Sequence, residues 1–290
     1  MDIYRKISSN KNIGKWFLII SIGYSVFLVI FSWNELKELD SSKTFSILSY
    51  GFALYFLSFL FQLSNWLLII NSNRSRIMID LRIYFKTVLM RRLPGGIWQF
   101  VGRVKLYKEN DLDTIKSTTA ANIYEWCLLL FSGLMCYLIF RGNWWGITIA
   151  PLIIIAFTLF QIKKGSRPLK TIIKLIAIII LNVSSYILGG LLLFYLLKNL
   201  NPFAVESIQS NISKWSLTST LSSLFFFIPS GIVIKEFSLI GLLGSTYSIA
   251  EIFLLSLQLR LFFLLYDLII SLSSLQIIYL LTKKHDTLTQ

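Results

Sequence analysis

The sequence predicts an all-α, polytopic integral membrane protein: about six transmembrane helices plus two re-entrant helical hairpins, in an inverted-topology repeat. Three observations carry this. Hydrophobic residues make up 55% of the 290-residue chain and fall in continuous runs, with a mean hydropathy of +0.69. Several runs reach the ~20 residues a helix needs to cross a hydrocarbon core of about 30 Å, and continuous rather than alternating apolar sequence is the mark of a membrane helix. Lys and Arg gather at the N-terminus, in 71–116, in 163–174 and at Lys283-Lys284, 21 in all against six in the other segments between spans. That asymmetry follows the positive-inside rule. Finally, two breaks interrupt apolar sequence 135 residues apart, Pro94-Gly95-Gly96 and Pro229-Ser230-Gly231. Matched interruptions in two halves point to a binding site built from broken helices.

Taken in order, spans are expected at 15–33, 45–70, 117–140, 143–162, 172–197 and 249–282. Trp16 and Trp33 bracket the first, and Trp144-Trp145 mark a tight turn before the fourth, as interfacial anchors do. The N-terminus lacks a small-residue cleavage site and is followed by further spans, so it reads as an uncleaved first span. Stretches 84–102 and 215–243 hold the breaks. Basic residues flank the first break on both sides, from Arg74, Arg76, Arg82, Lys86, Arg91 and Arg92 to Arg103, Lys105 and Lys108. A hairpin that enters and leaves on one side allows this; a single crossing does not. Six crossings and two hairpins place both termini and all four basic regions in the cytoplasm.

The 135-residue offset carries the start of the second span from 45 to 180 and that of the third from 117 to 252. The first span maps only loosely onto the fourth. The chain then divides into halves 1–141 and 142–290 within one membrane domain. Each half has three crossings, so the second is inverted relative to the first.

Composition also excludes function classes. The formal charge of +14 suggests nucleic acid, but its placement between spans makes it a topology signal, with attraction to anionic lipid headgroups as a second effect. Cys127 and Cys136, nine apart on one expected helix, point to roughly opposite faces and make neither a disulfide nor a metal site. The one histidine, His285, lies in a polar tail. No P-loop or dinucleotide fingerprint is present, and no cofactor or metal is expected. The stretch Glu109–Asp113 contains a DxD; its acids are expected to cap the third span, with a metal–sugar-nucleotide site as the alternative.

Charges within spans cost about 2.5–3.5 kcal/mol at a helix centre and are functional candidates by default. Glu125, Arg260 and Asp267 are of this kind. Glu125 lies 31 residues after Pro94 and Arg260 lies 31 after Pro229, which suits an acid–base pair across a pseudo-twofold axis. Arg260 and Asp267, seven apart, share a helix face; a structural ion pair stands level with a substrate or proton role. Glu251, near a span end, reads as interfacial. At the breaks, restarting helices present unsatisfied N–H groups and a positive dipole end, an arrangement that receives phosphate. Gly95 and Gly96 allow close approach, with Gln99 and Arg103 on one face beyond them. Gly231 is followed by Lys235 and Glu236.

The run LPGGIWQFVGRVKLYKENDLD resembles the first signature of the lysylphosphatidylglycerol synthase transmembrane-region family, the flippase-like domain. Its Trp-Gln-Phe-x-Gly-Arg form is similar to a branch associated with bacterial polysaccharide biosynthesis. Pro229–Glu236 resembles the second signature, usually Pro-Gly-Gly followed by Gly-Val-Arg-Glu. It departs from that signature at Ser230, Ile234 and Lys235. The resemblance implies a flippase of the bacterial cytoplasmic membrane rather than an enzyme. A phospholipid or a polyprenyl-phosphate-linked glycan would be the substrate, and polysaccharide-assembly proteins would be partners. It singles out Pro94, Gly95, Gly96, Gln99, Arg103, Glu125, Pro229, Gly231, Lys235 and Glu236. The soluble aminoacyl-transfer domain of the lysyl-lipid synthases is not in this sequence. Lys cannot grip a phosphate bidentately as Arg does, so Lys235 puts the headgroup preference of other members in doubt here. The alternatives are a membrane glycosyl- or phosphotransferase acting on a lipid-phosphate acceptor and a non-catalytic partner in polysaccharide assembly.

Overall fold

A computed structural model describes residues 41–91, 97–143, 168–225 and 232–288. The expected spans at 15–33 and 143–162 (save Asn143), the tryptophans Trp16, Trp33, Trp144 and Trp145, and the break residues Pro94, Gly95, Gly96, Pro229 and Gly231 lie outside the described residues.

Among the described residues all regular structure is α-helical: α1 Ser41–Ile69, α2 Ile77–Met90, α3 Trp98–Glu109, α4 Ile115–Phe140, α5 Pro168–Leu200, α6 Ile208–Leu224, α7 Ile232–Leu243 and α8 Ile249–Leu288. Four of them are long and apolar enough to cross a membrane, over Ser49–Ile69, Ile115–Phe140, Leu169–Leu200 and Glu251–Leu281. These coincide with four of the expected spans. The other two apolar stretches are each a pair of shorter helices, α2–α3 and α6–α7, that pack on one another.

The helices stop where local chemistry stops them. Asn71 (φ 53°), Asp111 (φ 51°) and Gly142 (φ 79°) each follow a helix in the left-handed region. The next amides, of Ser72, Leu112 and Asn143, return to the carbonyls of Leu67, Tyr107 and Leu138, a Schellman closure. Asp111 of the DxD therefore closes α3. Nor do the acids cap α4: its N-cap is Thr114, whose side chain accepts from the Ser117 amide. Asp113 instead accepts from the Ser117 hydroxyl and pairs with Arg76 at 3.1 Å. Ser207 caps α6 in the same way as Thr114 caps α4, accepting from the Ser210 amide.

Each helix pair packs side by side, with its open end held by a polar contact. The open end of α2–α3 is tied by Arg76–Asp113, next to the end of α1. Arg91, closing α2, donates to Gln62, seven residues before the end of α1, and to Asp267 in the mid-section of α8. The open end of α6–α7 is tied by Thr246, which donates to Glu206 at 3.2 Å. Near the far end of α6, the Ser223 carbonyl accepts from the Trp126 indole, midway along α4, at 2.9 Å.

The arrangement recurs. Helices α2, α3 and α4 begin at residues 77, 98 and 115; α6, α7 and α8 begin at 208, 232 and 249, within four residues of the first set moved by 135. Contacts recur too: α2 packs on α8 as α6 packs on α4, α3 on α4 as α7 on α8, and α1 on α8 as α5 on α4. At the centre α1 lies along α5, joined by the buried bond from the Asn65 amide to the Asn182 amide oxygen at 2.5 Å. One contact breaks the pattern. Helix α6 lies close on α5 because of Gly189 and Gly190: a Cβ on Gly190 would stand 2.4 Å from the Ile212 Cα. Their counterparts under the offset are Leu54 and Tyr55, and α2 is held off α1 by Phe59, Trp66, Tyr84 and Phe85, all buried.

Candidate functional site

The two helix pairs converge on a cavity of about 270 Å³. Helices α1 and α5 supply its walls at Tyr55, Ser58, Gln62, Ser185 and Gly189; α6 supplies Trp215, Ser219, Ser222 and Ser223. Among the described residues its cations are Arg91 at the end of α2 and Lys235 in the first turn of α7, one from each helix pair. Phe263 of α8 and Leu129 of α4 also line it.

Arg91 is aimed by three partners. Its Nε donates to Asp267 Oδ2 at 3.0 Å, one terminal nitrogen donates to Gln62 Oε1 at 3.0 Å, and the other reaches the Tyr55 hydroxyl and Asp267 Oδ1. The Tyr55 hydroxyl in turn donates to Asp267. Asp267 is only 1% exposed, so this carboxylate stands behind Arg91 rather than in the cavity. A buried charge of this kind is tolerated only when paired and hydrogen-bonded. Lys235 sits in an aromatic corner, its ammonium 4.4 Å from the Trp215 ring centre and 5.0 Å from that of Phe263. The two rings meet edge-on at 5.9 Å, and Tyr55 stacks on Phe263 at 5.1 Å. A chain of contacts thus links the two cations.

The remaining candidates stand elsewhere. Arg103 is fully buried against the Trp66 ring at 3.9 Å and donates to Glu125; it does not line the cavity. Arg260 donates to Glu236, which also accepts from Ser256 at 2.6 Å. The expected union of Glu125 with Arg260 is therefore not what forms. Each is taken by a nearer partner, on α3 and α7 respectively, because each helix pair packs on the helix that follows it. The two ion pairs have opposite polarity: cation on α3 and acid on α4, acid on α7 and cation on α8. Arg260 and Asp267 share a helix, and pair with Glu236 and Arg91 respectively. Gln99 is half-buried in the first turn of α3. Glu251 accepts from the Ser248 amide and hydroxyl at the start of α8. Cys127 and Cys136 are both free thiols.

Sequence reasoning missed Arg91, Tyr55, Gln62 and the serines. Arg91 belongs to a basic flank, and its place beside Arg92, within three residues of Pro94, is the signal that could have singled it out. The serines carried no such mark. Among the described residues no group of three or more His, Cys, Asp or Glu is placed to hold a metal.

Outside the apolar spans, the loop before α6 carries a small charged lock. Burial alone would raise the Glu206 carboxyl; Lys214, Ser210 and Thr246 more than offset this and hold it below the usual range. Lys214 stands 2.5 Å away.

No protein-family model, curated protein or solved structure matches this chain.

Proposed function

We propose that the chain is a flippase-like translocase of a bacterial cytoplasmic membrane. The phosphate of a lipid, or of a polyprenyl-phosphate-linked glycan, would be held between the ends of two re-entrant hairpins. The observation that carries this reading is the serine-rich cavity lined by Arg91 and Lys235, one from each helix pair. Its volume lies just below the ~300–1,000 Å³ usual for ligand pockets, which suits a headgroup whose tails stay in lipid. Cations and oriented hydroxyls are the groups that replace water around a phosphate.

The finer architecture belongs to this proposal. Joined ends that meet the middle of a long helix, Arg91 at Asp267 of α8 and Ser223 at Trp126 of α4, support re-entrant hairpins, α2–α3 from the cytoplasmic side and α6–α7 from the opposite one. Lys174, at the start of α5, reaches the Ile69 carbonyl and Asn71. The basic residues near 74–76, 108–116 and 170–174 thus share one end of the molecule, the cytoplasmic end under the positive-inside rule. With crossings at 15–33 and 143–162 the two halves are inverted and both termini are cytoplasmic. The sequence holds no nucleotide motif, so movement is downhill or coupled to an ion gradient. A transferase would need the acids at Asp111–Asp113 to face the acceptor. Asp111 closes α3 and Asp113 holds Arg76, at the opposite end of the α2–α3 pair from the cavity, so translocation is favoured.

The test is headgroup-resolved translocation in proteoliposomes over phospholipids and polyprenyl-phosphate sugars. Wild type is expected to move one class selectively. Lys235→Ala, and the charge-balanced double variant Arg91→Gln with Asp267→Asn, should each slow it at least tenfold. A folded wild type that moves no lipid sinks the proposal.

A further inference from the structure

We infer that Lys235 is a specificity residue that restricts the cavity to headgroups bearing net negative charge, by occupying an aromatic corner where a headgroup ammonium would bind. This deepens the translocase reading and rests on it for its transport arm. The argument begins with the corner formed by Trp215 and Phe263. Two rings meeting edge-on, with a third aromatic, Tyr55, stacked behind one of them, is the arrangement that takes ammonium groups through the negative faces of the rings. Both rings line the cavity. A lipid with choline or ethanolamine would place its phosphate by Arg91 and its ammonium in this corner.

The corner is already filled from within the chain. The Lys235 ammonium lies at 4.4 and 5.0 Å from the two ring centres, inside the ~6 Å within which a cation is held. A second ammonium must either displace it or sit beside a like charge, and in a low-dielectric site like-charge juxtaposition is unfavourable. A phosphate without a compensating ammonium meets no such penalty. It gains from both cations at once. Gly189 makes the device possible: a Cβ there would come within 1.9 Å of the Trp215 indole nitrogen, so only glycine lets that ring stand where Lys235 uses it. Lys235 is therefore an internal ligand of its own aromatic site, and the substrate class is an anionic phosphate headgroup, from a glycerophospholipid or from a polyprenyl phosphate.

The experiment compares wild type, Lys235→Gln and Lys235→Gln with Trp215→Leu in proteoliposomes. Fluorescent phosphatidylglycerol, polyprenyl-phosphate sugar and phosphatidylcholine are the probes. Wild type should move one or both anionic lipids at least tenfold faster than phosphatidylcholine. Lys235→Gln should lose anionic-lipid movement and, as the decisive reading, move phosphatidylcholine at least tenfold faster than wild type does; Trp215→Leu should remove that gain. The two anionic probes separate the two sources of phosphate. A wild type that moves phosphatidylcholine as fast as the anionic lipids overturns the inference, as does a Lys235→Gln variant that is slower on every lipid with the ratio unchanged. Thermal stabilisation by glycerol phosphate against glycerophosphocholine separates this failure from that of transport. If no lipid moves but wild type is stabilised by the first alone and Lys235→Gln by both, the specificity assignment stands and the translocase reading falls. If neither compound stabilises either form, the specificity assignment falls.

Discussion

Arg103 and Glu125 show how burial and pairing divide a residue's roles. Arg103 is enclosed by Trp66, Tyr84 and Glu125, a setting for a charge that holds α3 on α4 rather than one that meets substrate. Removing one partner of such a pair strands the other and costs about 3–5 kcal/mol, while removing both is often neutral. Thermal unfolding in detergent should therefore show a large loss for Arg103→Met and for Glu125→Gln, and recovery in the double variant. Glu125→Gln combined with Arg260→Met should show simple addition, because the two belong to separate pairs. Recovery in that combination would mean that the two pair directly in another state of the protein.

Among the helices, the contact between α5 and α6 sets the shape of the cavity. With little hydrophobic drive between helices in lipid, close approach depends on small residues, and Gly189-Gly190 supply them where α1 has Leu54-Tyr55. Gly190→Ala places a methyl against the Ile212 backbone and should cost about 1–3 kcal/mol by overpacking. Gly241 in α7 has open space at its Cβ position, so Gly241→Ala should be neutral or slightly stabilising by helix propensity. Equal effects from the two substitutions, read by thermal unfolding, would remove the packing argument. The same contrast explains one difference between the two sets of four helices. A bulky Tyr55 in the first set is free to reach Arg91 and Asp267, whereas glycine in the second lets Trp215 come in.

At the scale of the molecule, the proposed inversion makes a topological prediction. The loop at Asn73–Ser75 and the one at Phe203, which is fully exposed, lie at opposite ends of the helix bundle. Single cysteines at Ser75 and at Phe203, in a chain lacking Cys127 and Cys136, should be labelled by a membrane-impermeant thiol reagent from opposite sides of oriented vesicles. Labelling of both from one side would rule out the inverted arrangement and with it a site reached alternately from two faces. The fold class was legible because lipid leaves the backbone so few choices: long apolar runs had to be helices, and four of those expected appear with their boundaries shifted by only a few residues at most ends. The helix pairs were legible at 84–102 and 215–243 because Pro and Gly punctuate helices wherever they fall.

Among the described residues, the amino-acid sequence by itself determined which segments are helical and where they break. Periodicity, breaker residues and charge density act locally, so they can be read locally. Which charges meet was decided only by the tertiary structure. Glu125 found Arg103, Arg260 found Glu236, Asp267 found Arg91, and the cavity took Arg91 and Lys235 as its cations. A buried charge takes the partner that packing brings within reach, and that is set by which helices touch and how closely, down to a pair of glycines on α5.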